Sequence, residues 1–237
     1  MNPILVFRHI ECEGPGYLAD FLGANNVPFQ LVCIDSGEAV PDSLDSIGGL
    51  VFMGGPMSVN DALPWIEAEL NLIRHAHQYG IPVLGHCLGG QLVAKALGGE
   101  VLKNKVQETG WFPVSSYDDC LPSHWLTGLP EKFNAFHLHG ETFTIPEGAT
   151  PLFRSQFCPQ QAFVKGNSLA LQFHVEVTKD MVKDWVSVYQ KDLEQPSESI
   201  QSRNEILRDL DKRVAEVHQI AKTLYTHWLD NVYGNSD

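Results

Sequence analysis

The sequence predicts an α/β fold with an open, mostly parallel sheet and helices on both faces. Short apolar runs alternate with helical stretches up to Gly99, and βαβ units of this kind form parallel sheets covered on both sides. Beyond Val101, strand-like runs follow one another with turn residues between them, which predicts antiparallel additions at one end of the sheet. The 237 residues suffice for one such domain with a buried core.

Each element of the first half has a local signal. Four short runs rich in β-branched and aromatic residues predict strands at 4–7, 30–34, 49–53 and 82–84. Apolar residues at three- and four-residue spacing predict helices at 16–25, 64–78 and 88–97. Asn60 or Asp61 is a candidate cap for the second helix, and Gly98-Gly99 is expected to end the third.

The second half continues with strand-like runs around Val114 and at 135–138, 143–145, 162–164 and 169–173, followed by a helix at 179–189. We interpret residues 1–194 as a flavodoxin-like α/β domain. A polar break then precedes a C-terminal extension, 195–237, predicted to be one long amphipathic helix with a capping box at Ser202 and Glu205. Its apolar stripe is expected to pack on the domain, with a partner or dimer contact as the alternative; the stripe comprises Ile206, Leu210, Val214, Val217, Ala221, Leu224 and Trp228.

Composition narrows the class of protein. The net charge of −13 repels phosphate backbones and anionic lipid, so nucleic acid and membrane surfaces are not expected as partners. No apolar run has the length of a membrane span and no signal peptide is visible, so we expect a cytoplasmic location. The odd number of cysteines and the lack of a C-x-x-C pair argue against a disulfide framework or a thiolate zinc site. Four cysteines are interpreted as small packed hydrophobes: Cys12, Cys33, Cys120 and Cys158.

The strongest chemical signal surrounds the fifth cysteine, Cys87. The segment 85–91 reads Gly-His-Cys-Leu-Gly-Gly-Gln, follows a predicted strand and opens a helix. Glycines let such a turn bend sharply and approach a substrate closely, and the helix start favours a thiolate and a developing oxyanion. A buried cysteine beside a turn is the alternative interpretation. A phosphate-binding loop is disfavoured because Gln91 occupies the position of the required lysine.

Two further segments suit a nucleophilic site. Gly54-Gly55 follows the third strand, and ligand crevices of open sheets lie at the carboxyl ends of strands, so a backbone N–H there can hold an oxyanion beside Cys87. His174 and Glu176 are two residues apart at the end of the last predicted strand and therefore point to the same side. A carboxylate there fixes the imidazole tautomer and leaves the other nitrogen for a thiol. Taken singly, Gly54-Gly55 is an ordinary turn and His174 with Glu176 is an ordinary surface pair. The interpretation as a nucleophilic site rests on the three segments following in order, each at a strand end.

Together the segments resemble the class I glutamine amidotransferase family over about residues 1–190, whose motifs read roughly G-x-C-x-G-x-Q and F-H-P-E. The resemblance implies Cys87 as nucleophile, His174 as base and Glu176 as the carboxylate that orients it. It also implies further site residues from the matching motifs: backbone oxyanion donors at Gly55 and Leu88, and substrate contacts at Gln91, Gly110, Trp111 and His139.

Several positions depart from the family pattern without removing a catalytic group: Val175 for the usual proline, His86 for an apolar residue, and Phe136 and Glu141 for Trp and Asp. They indicate a divergent branch, similar to stand-alone amidotransferase-like proteins and to the amidotransferase domain of GMP synthetase. His137-Leu-His139 and His75-Ala-His77 have the spacing of metal ligands, but no acidic cluster accompanies them in the sequence. We therefore expect no metal and no cofactor.

The expected reaction is release of ammonia from the glutamine side chain through a cysteinyl thioester. A γ-glutamyl peptidase or hydrolase with the same triad is the alternative enzyme, and a non-catalytic regulatory or binding protein on the same fold is the second alternative. No domain that activates an ammonia acceptor is recognisable. The partners expected are thus glutamine or another γ-glutamyl small molecule, with a separate synthetase subunit and a homodimer left open.

Overall fold

The computed structural model describes residues 1–117 and 124–234. Cys120, expected to be a packed hydrophobe, lies outside the described residues. Among the described ones, Cys12, Cys33, Cys87 and Cys158 are free thiols. Within the same ranges no helix combines the length and the apolar character that crossing a lipid bilayer requires.

The described strands form one nine-stranded sheet in the order β2-β1-β3-β4-β9-β8-β7-β5-β6. Strands β1 to β4 and β9 pair in parallel, whereas β5 to β8 are joined by antiparallel pairing. This confirms the predicted sheet with antiparallel additions at one end. The strands are β1 Ile4–Arg8, β2 Phe29–Cys33, β3 Gly49–Phe52, β4 Val83–His86, β5 Val101–Ser116, β6 Lys132–Phe143, β7 Thr150–Ser155, β8 Ala162–Lys165 and β9 Ser168–Leu171.

Helices cover both faces of this sheet, as predicted. The alternation of side chains along β1 makes the division visible, because successive residues of a strand point to opposite faces. Ile4 and Val6 pack with α1, α4 and α6, while Leu5 and Phe7 pack with α2 and α3. The helices are α1 Tyr17–Ala24, α2 Pro64–Gln78, α3 Leu88–Ala96, α4 Lys179–Val188, α5 Arg203–Leu207 and α6 Leu210–Tyr233.

The expected cap of α2 is wrong. Leu63 occupies the N-cap position and makes no capping hydrogen bond. Asn60 instead donates its side-chain amide to the carbonyl of Val101 at 2.9 Å, and the Asp61 carboxylate accepts from the backbone N–H of Ser58. Both side chains therefore stabilise the loop before the helix, and the Pro64 that follows supplies a preset helical φ in their place.

The C-terminal extension contains two helices where one was predicted. The capping box at Ser202 and Glu205 is present, but α5 ends after five residues. Arg208 is extended and Asp209 has a φ of 53° in the left-handed region. The apolar stripe continues through the break, which is why the periodicity of the sequence does not reveal it.

The extension shares a hydrophobic core with residues 1–194. Trp228 is fully buried, and its ring lies within about 3.1 Å of where a side chain on Gly49 of β3 would begin. The hydroxyl of Tyr225, also fully buried, lies 3.0 Å from Nε2 of His86 at the end of β4. Helix α6 therefore packs directly beneath the strand that leads into the Cys87 turn. The division of the chain at residues 194 and 195 stays a prediction.

Because Trp228 anchors α6 on the sheet, Trp228→Ala should lower the free energy of unfolding by about 3–5 kcal/mol, the usual cost of truncating a buried aromatic side chain. Urea unfolding monitored by circular dichroism measures this loss. Tyr79→Ala is the matched control, because Tyr79 is 72% exposed and should change stability by no more than about 0.5 kcal/mol. Equal effects of the two replacements would contradict the proposed anchoring.

Candidate active site

Cys87 lies on the turn between β4 and α3, at the carboxyl end of a central strand. Its φ of 51° falls in the left-handed region, which residues with a side chain rarely adopt. Its N–H donates to the carbonyl of Leu171 in β9 at 2.8 Å. A methyl group on Gly89 would overlap the carbonyl oxygen of Phe52 in β3, and one on Gly90 would overlap that of Leu171. The turn is therefore clamped between two neighbouring strands, which holds the strained cysteine in place.

His174 and Glu176 follow β9 and form a buried pair. Nδ1 of His174 lies 2.6 Å from Oε1 of Glu176, and the second carboxylate oxygen accepts the N–H of Val175 at 3.0 Å. Burial alone would lower the pKa of His174, but the neighbouring Glu176 and Cys87 side chains raise it well above the ordinary value. Burial alone would raise the pKa of Glu176, but His174 and His86 lower it to about 2. The pair thus favours an imidazolium beside a carboxylate.

His86, which stands where the family commonly has an apolar residue, contacts the second carboxylate oxygen of Glu176. Its Nε2 lies 3.8 Å from Oε2 of Glu176 and 3.0 Å from the hydroxyl of Tyr225. Burial lowers the pKa of His86 although Glu176 opposes this, and the ring lies between α6 and the carboxylate. On the imidazole face, the ring of Trp185 meets His174 edge to face with centroids 4.8 Å apart. Both contacts restrict the orientation of the pair.

The thiol of Cys87 is contacted by a glutamine that the sequence interpretation missed. Gln172 is fully buried, and its amide nitrogen lies 3.7 Å from the sulfur. The Gln172 carbonyl accepts from the Gln91 side chain at 3.2 Å. Gln91 is thus brought to the site, and it reaches the thiol through Gln172. The only signal for Gln172 in the sequence is its position two residues before His174.

The proposed oxyanion donors also meet at this edge. A side chain on Gly55 would begin 2.9 Å from Cδ2 of Leu88, so the two turns are in direct contact. Leu88 is the first residue of α3, where backbone N–H groups have no intrahelical partner. Below the Gly55 turn, the buried His9 lies 3.0 Å from the Glu69 carboxylate through Nε2 and 3.1 Å from the Met53 carbonyl through Nδ1. This pair fixes the end of β3, from which the turn starts.

An open cavity of about 240 Å³ lies over Cys87. It is somewhat smaller than the roughly 300–1,000 Å³ of pockets for drug-sized ligands, which suits a substrate of amino-acid size or slightly larger. Residues of four predicted positions line it, namely Gly55, Cys87, Gln91 and His139. The other lining residues are Glu13, Pro56, Met57, Gln107, Leu138, Gly140, Glu141, Tyr189 and Asp192.

Gly110 and Trp111 are not brought to this cavity. The Gln201 side chain covers them, since its carbonyl accepts the Trp111 N–H at 3.0 Å and its amide donates to the Trp111 carbonyl at 2.9 Å. The indole is 5% exposed and donates to the carbonyl of Ile206. Their positions indicate that this part of β5 supports α5 and give no support to a direct contact with substrate.

His139 has an acidic neighbour, contrary to the expectation from sequence. Glu108 of β5 is fully buried, with Oε2 3.1 Å from Nε2 of His139. Nδ1 of His139 lies 2.9 Å from the carbonyl of Glu141. Both ring nitrogens of His139 therefore lie within hydrogen-bond distance of an oxygen acceptor, which fixes the orientation of the ring in the cavity wall.

Glu108, His137 and His139 are also the residues that could hold a metal ion, with one ligand atom each within 4.8 Å of the others. The Glu108 carboxylate already accepts from Ser155 at 2.7 Å and from Gln161 at 2.8 Å, besides His139. Burial lowers the pKa of His137 to about 4. Three hydrogen-bond partners therefore explain why the Glu108 carboxylate is buried here, and we assign no metal to it.

Glu13 is a second carboxyl group that sequence interpretation missed. It precedes α1, is 4% exposed and lines the cavity. The hydroxyl of Tyr189, at the end of α4, donates to its Oε1 at 2.7 Å. Nothing in its sequence context signals this role, because Glu13 and Tyr189 lie 176 residues apart along the chain.

Comparisons with known proteins agree on one family. The family model for glutamine amidotransferase class-I matches residues 17–184. A crystal structure of a glutamine amido transferase from Methylobacillus flagellatus is 38% identical, with a TM-score of 0.93 over 98% of this chain and 95% of that chain. The glutamine amidotransferase-like protein YfeJ of Salmonella typhimurium is 30% identical over 164 residues, or 67% of this chain and 69% of that protein.

A third relative is much longer. The glutamine-hydrolysing GMP synthase of Lactobacillus delbrueckii subsp. bulgaricus is 36% identical over 132 residues, which are 54% of this chain and 24% of that enzyme. The chain therefore matches about a quarter of the synthase. With the other comparisons, this confirms the resemblance found in the sequence.

The clamped turn makes a sharp prediction about Gly89. Gly89→Ala should destabilise the protein by about 3 kcal/mol or more, because the new methyl group meets a backbone carbonyl that cannot move without displacing β3. Gly23→Ala in α1 is the control, since nothing lies within 4 Å of its added methyl group and alanine favours a helix by up to about 1 kcal/mol. Chemical unfolding of both variants tests this, and a neutral Gly89→Ala would refute the clamp.

Proposed function

The chain belongs to the class-I glutamine amidotransferase family, and we propose that it hydrolyses the γ-carboxamide of glutamine with Cys87 as the nucleophile. The observation that carries the proposal is one cavity lined by a strained cysteine, next to which a buried histidine is paired with a carboxylate at 2.6 Å. Thiolate and imidazolium favour each other in such a setting, so the nucleophile is activated before substrate binds.

In the first half of the reaction, the Cys87 sulfur attacks the γ-carbonyl carbon and a C–S bond forms. The oxyanion of the tetrahedral intermediate accepts hydrogen bonds from the backbone N–H groups of Gly55 and Leu88. Such donors are each worth about 3–4 kcal/mol of barrier. His174 then gives its Nε2 proton to the departing nitrogen, the C–N bond breaks, and ammonia leaves a glutamyl thioester behind.

In the second half, the neutral His174 takes a proton from water while the hydroxide adds to the thioester carbon. The C–S bond breaks and glutamate leaves. The proton that His174 took from water restores the imidazolium, and the released sulfur is again the thiolate of Cys87. Glu176 holds the imidazole in the orientation and tautomer that both steps need, and stabilises the imidazolium without itself accepting the proton.

The α-amino-acid end of the substrate is assigned to the part of the lining formed by His139, Gln91 and Glu141. His139, whose ring Glu108 holds in place, is the proposed neighbour of the α-carboxylate, and Gln91 supplies an amide that can donate or accept. The carboxylate of Glu141, beside them in the same lining, suits the α-ammonium group. This arrangement is proposed for glutamine and applies equally to the γ-glutamyl part of a larger amide.

A second candidate is hydrolysis of a γ-glutamyl amide with a larger leaving group. The cavity favours it in one respect, because its lining continues past Cys87 to Tyr189 and the exposed Asp192. For the family reaction, a separate synthetase subunit is the partner proposed to receive ammonia, since the matched region corresponds to 24% of GMP synthase. A homodimer stays a prediction.

The assignment of Cys87 predicts an unusual order of thiol reactivity. Iodoacetamide should modify Cys87 first although it is 6% exposed, whereas Cys12 and Cys33 are half-buried. Burial raises the pKa of Cys12 and raises that of Cys158 to about 11, which slows both. Peptide mapping over a time course gives the order. Cys87→Ser should abolish glutamine hydrolysis with unchanged unfolding, and activity retained by this variant would refute the mechanism.

The pairing of His174 with Glu176 predicts unequal losses. His174→Ala should remove nearly all glutaminase activity, about 10⁴-fold or more, because no other group can carry the proton. Glu176→Gln should leave a measurable residue and lower the pKa of His174, because the carboxylate that raises this pKa is gone. The pH dependence of kcat and an NMR titration of the ring measure both effects. A Glu176→Gln variant with full activity and an unshifted His174 would contradict the assignment.

A further inference from the structure

One oxygen of Glu13 has no hydrogen-bond partner among the described residues. Oε1 accepts from Tyr189 at 2.7 Å, whereas no hydrogen bond to Oε2 is found among the described residues, in a residue that is only 4% exposed. Burial raises the pKa of Glu13, and His174 only partly opposes this. A buried carboxyl with a free oxygen in a ligand cavity is an incomplete interaction, which a cationic group of a ligand would complete.

Glu13 lies beside the edge of the His174 ring and lines the same cavity as Cys87. A methyl group on Gly54 would overlap Oε2 of Glu13 and would lie 3.2 Å from Cε1 of His174, so the carboxyl and the imidazole edge meet above the same glycine. Cε1 adjoins Nε2, the atom that protonates the departing nitrogen in the proposed reaction. Glu13 is therefore a cavity-lining carboxyl group next to the ring that serves the departing nitrogen.

The rest of this side of the cavity is acidic as well. Asp192 lies one turn beyond Tyr189, its N–H donating to the Tyr189 carbonyl, and it lines the same cavity. No lysine or arginine occurs among the described lining residues. Both ring nitrogens of His139, which also lines the cavity, already have oxygen neighbours in the Glu141 carbonyl and the Glu108 carboxylate. A positively charged leaving group therefore meets two carboxyl groups here, Glu13 and Asp192.

From these contacts we infer that the enzyme prefers γ-glutamyl amides whose leaving amine carries a second positive charge, as mono-γ-glutamyl diamines and polyamines do. The inference rests on the proposed γ-carboxamide hydrolysis at Cys87. The distal ammonium binds Oε2 of Glu13, with Asp192 at the cavity mouth for a longer amine. The reaction is unchanged: the C–N bond breaks, His174 protonates the departing nitrogen, and the free diamine leaves past Tyr189.

Two other roles of Glu13 make different predictions. If its charge serves only to stabilise the imidazolium of His174, its removal slows all amides alike. If it binds the α-ammonium of the glutamyl part, its removal again weakens all γ-glutamyl compounds alike. Only a contact with the leaving group changes the ratio between a charged and a neutral amide of equal length.

The test is a set of three γ-glutamyl amides of matched length, made from 1,4-diaminobutane, butylamine and 4-aminobutyrate, with glutamine alongside. We expect kcat/KM for the diaminobutane amide to exceed that for the butylamide by about tenfold or more, as for a hydrogen bond between charged groups, and the aminobutyrate amide to be the poorest. Glu13→Gln, which keeps the shape of the side chain, should reduce this ratio at least about fivefold. Tyr189→Phe should reduce it less, because Glu13 loses only its anchor.

Glu147→Gln, an exposed carboxylate remote from the cavity lining, is the control and should leave the ratio unchanged. Thermal unfolding of each variant establishes that it is folded. If Glu13→Gln does not fold, the ratio measured for Tyr189→Phe takes its place in the test. Equal kcat/KM for the charged and neutral amides, or an equal loss on both in Glu13→Gln, overturns the inference and leaves the hydrolase function standing. If no γ-glutamyl amide is hydrolysed in a Cys87-dependent manner, the proposed function itself fails.

Discussion

The close packing of the β4–α3 turn against its neighbouring strands is the constraint on which the candidate site depends. Gly89 and Gly90 allow the first turn of α3 to approach the carbonyl oxygens of Phe52 and Leu171 so closely that no side chain fits. This approach brings the ends of β3, β4 and β9 together, and with them the three segments of the site. The left-handed conformation of Cys87 costs free energy, and the surrounding backbone contacts are what maintain it.

Buried charge is the second organising feature. Glu176 is held ionised by two imidazoles and a backbone N–H, whereas the pKa of Glu13, on the cavity side of His174, is raised by burial. Two carboxyl groups near one imidazole therefore differ in their balance of partners, since Glu176 is fully hydrogen-bonded and Glu13 is not. Two carboxyl groups of the same chemistry can therefore have different roles, because their surroundings shift their pKa values in opposite directions. Glu176 serves the imidazole permanently, and Glu13 is left available for a ligand.

The sequence was sufficient for features that depend on local pattern. Alternating apolar runs predicted the layers of the fold, and Cys87, His174 and Glu176 stand at strand ends, where chain order alone brings them to one edge. Pairs that meet from distant parts of the chain could not be predicted, because periodicity tells which side chains are buried and not which of them meet. Tyr189 and Glu13 are 176 residues apart. The break at Asp209 was hidden for a related reason, since the apolar stripe of the extension runs through it.

The fold also separates the proposed chemistry from the proposed selection of substrate. Cys87, His174 and the turns proposed to hold the oxyanion are fixed to strand ends, which cannot shift without disturbing the sheet. Glu13 and Tyr189 belong to the segment before α1 and to the end of α4, at the edge of the helical layer. A replacement there alters charge at the leaving-group side while the sheet holds the reacting atoms in register. Variation in leaving group is therefore compatible with a constant thioester mechanism, because the two tasks are assigned to different layers of the structure.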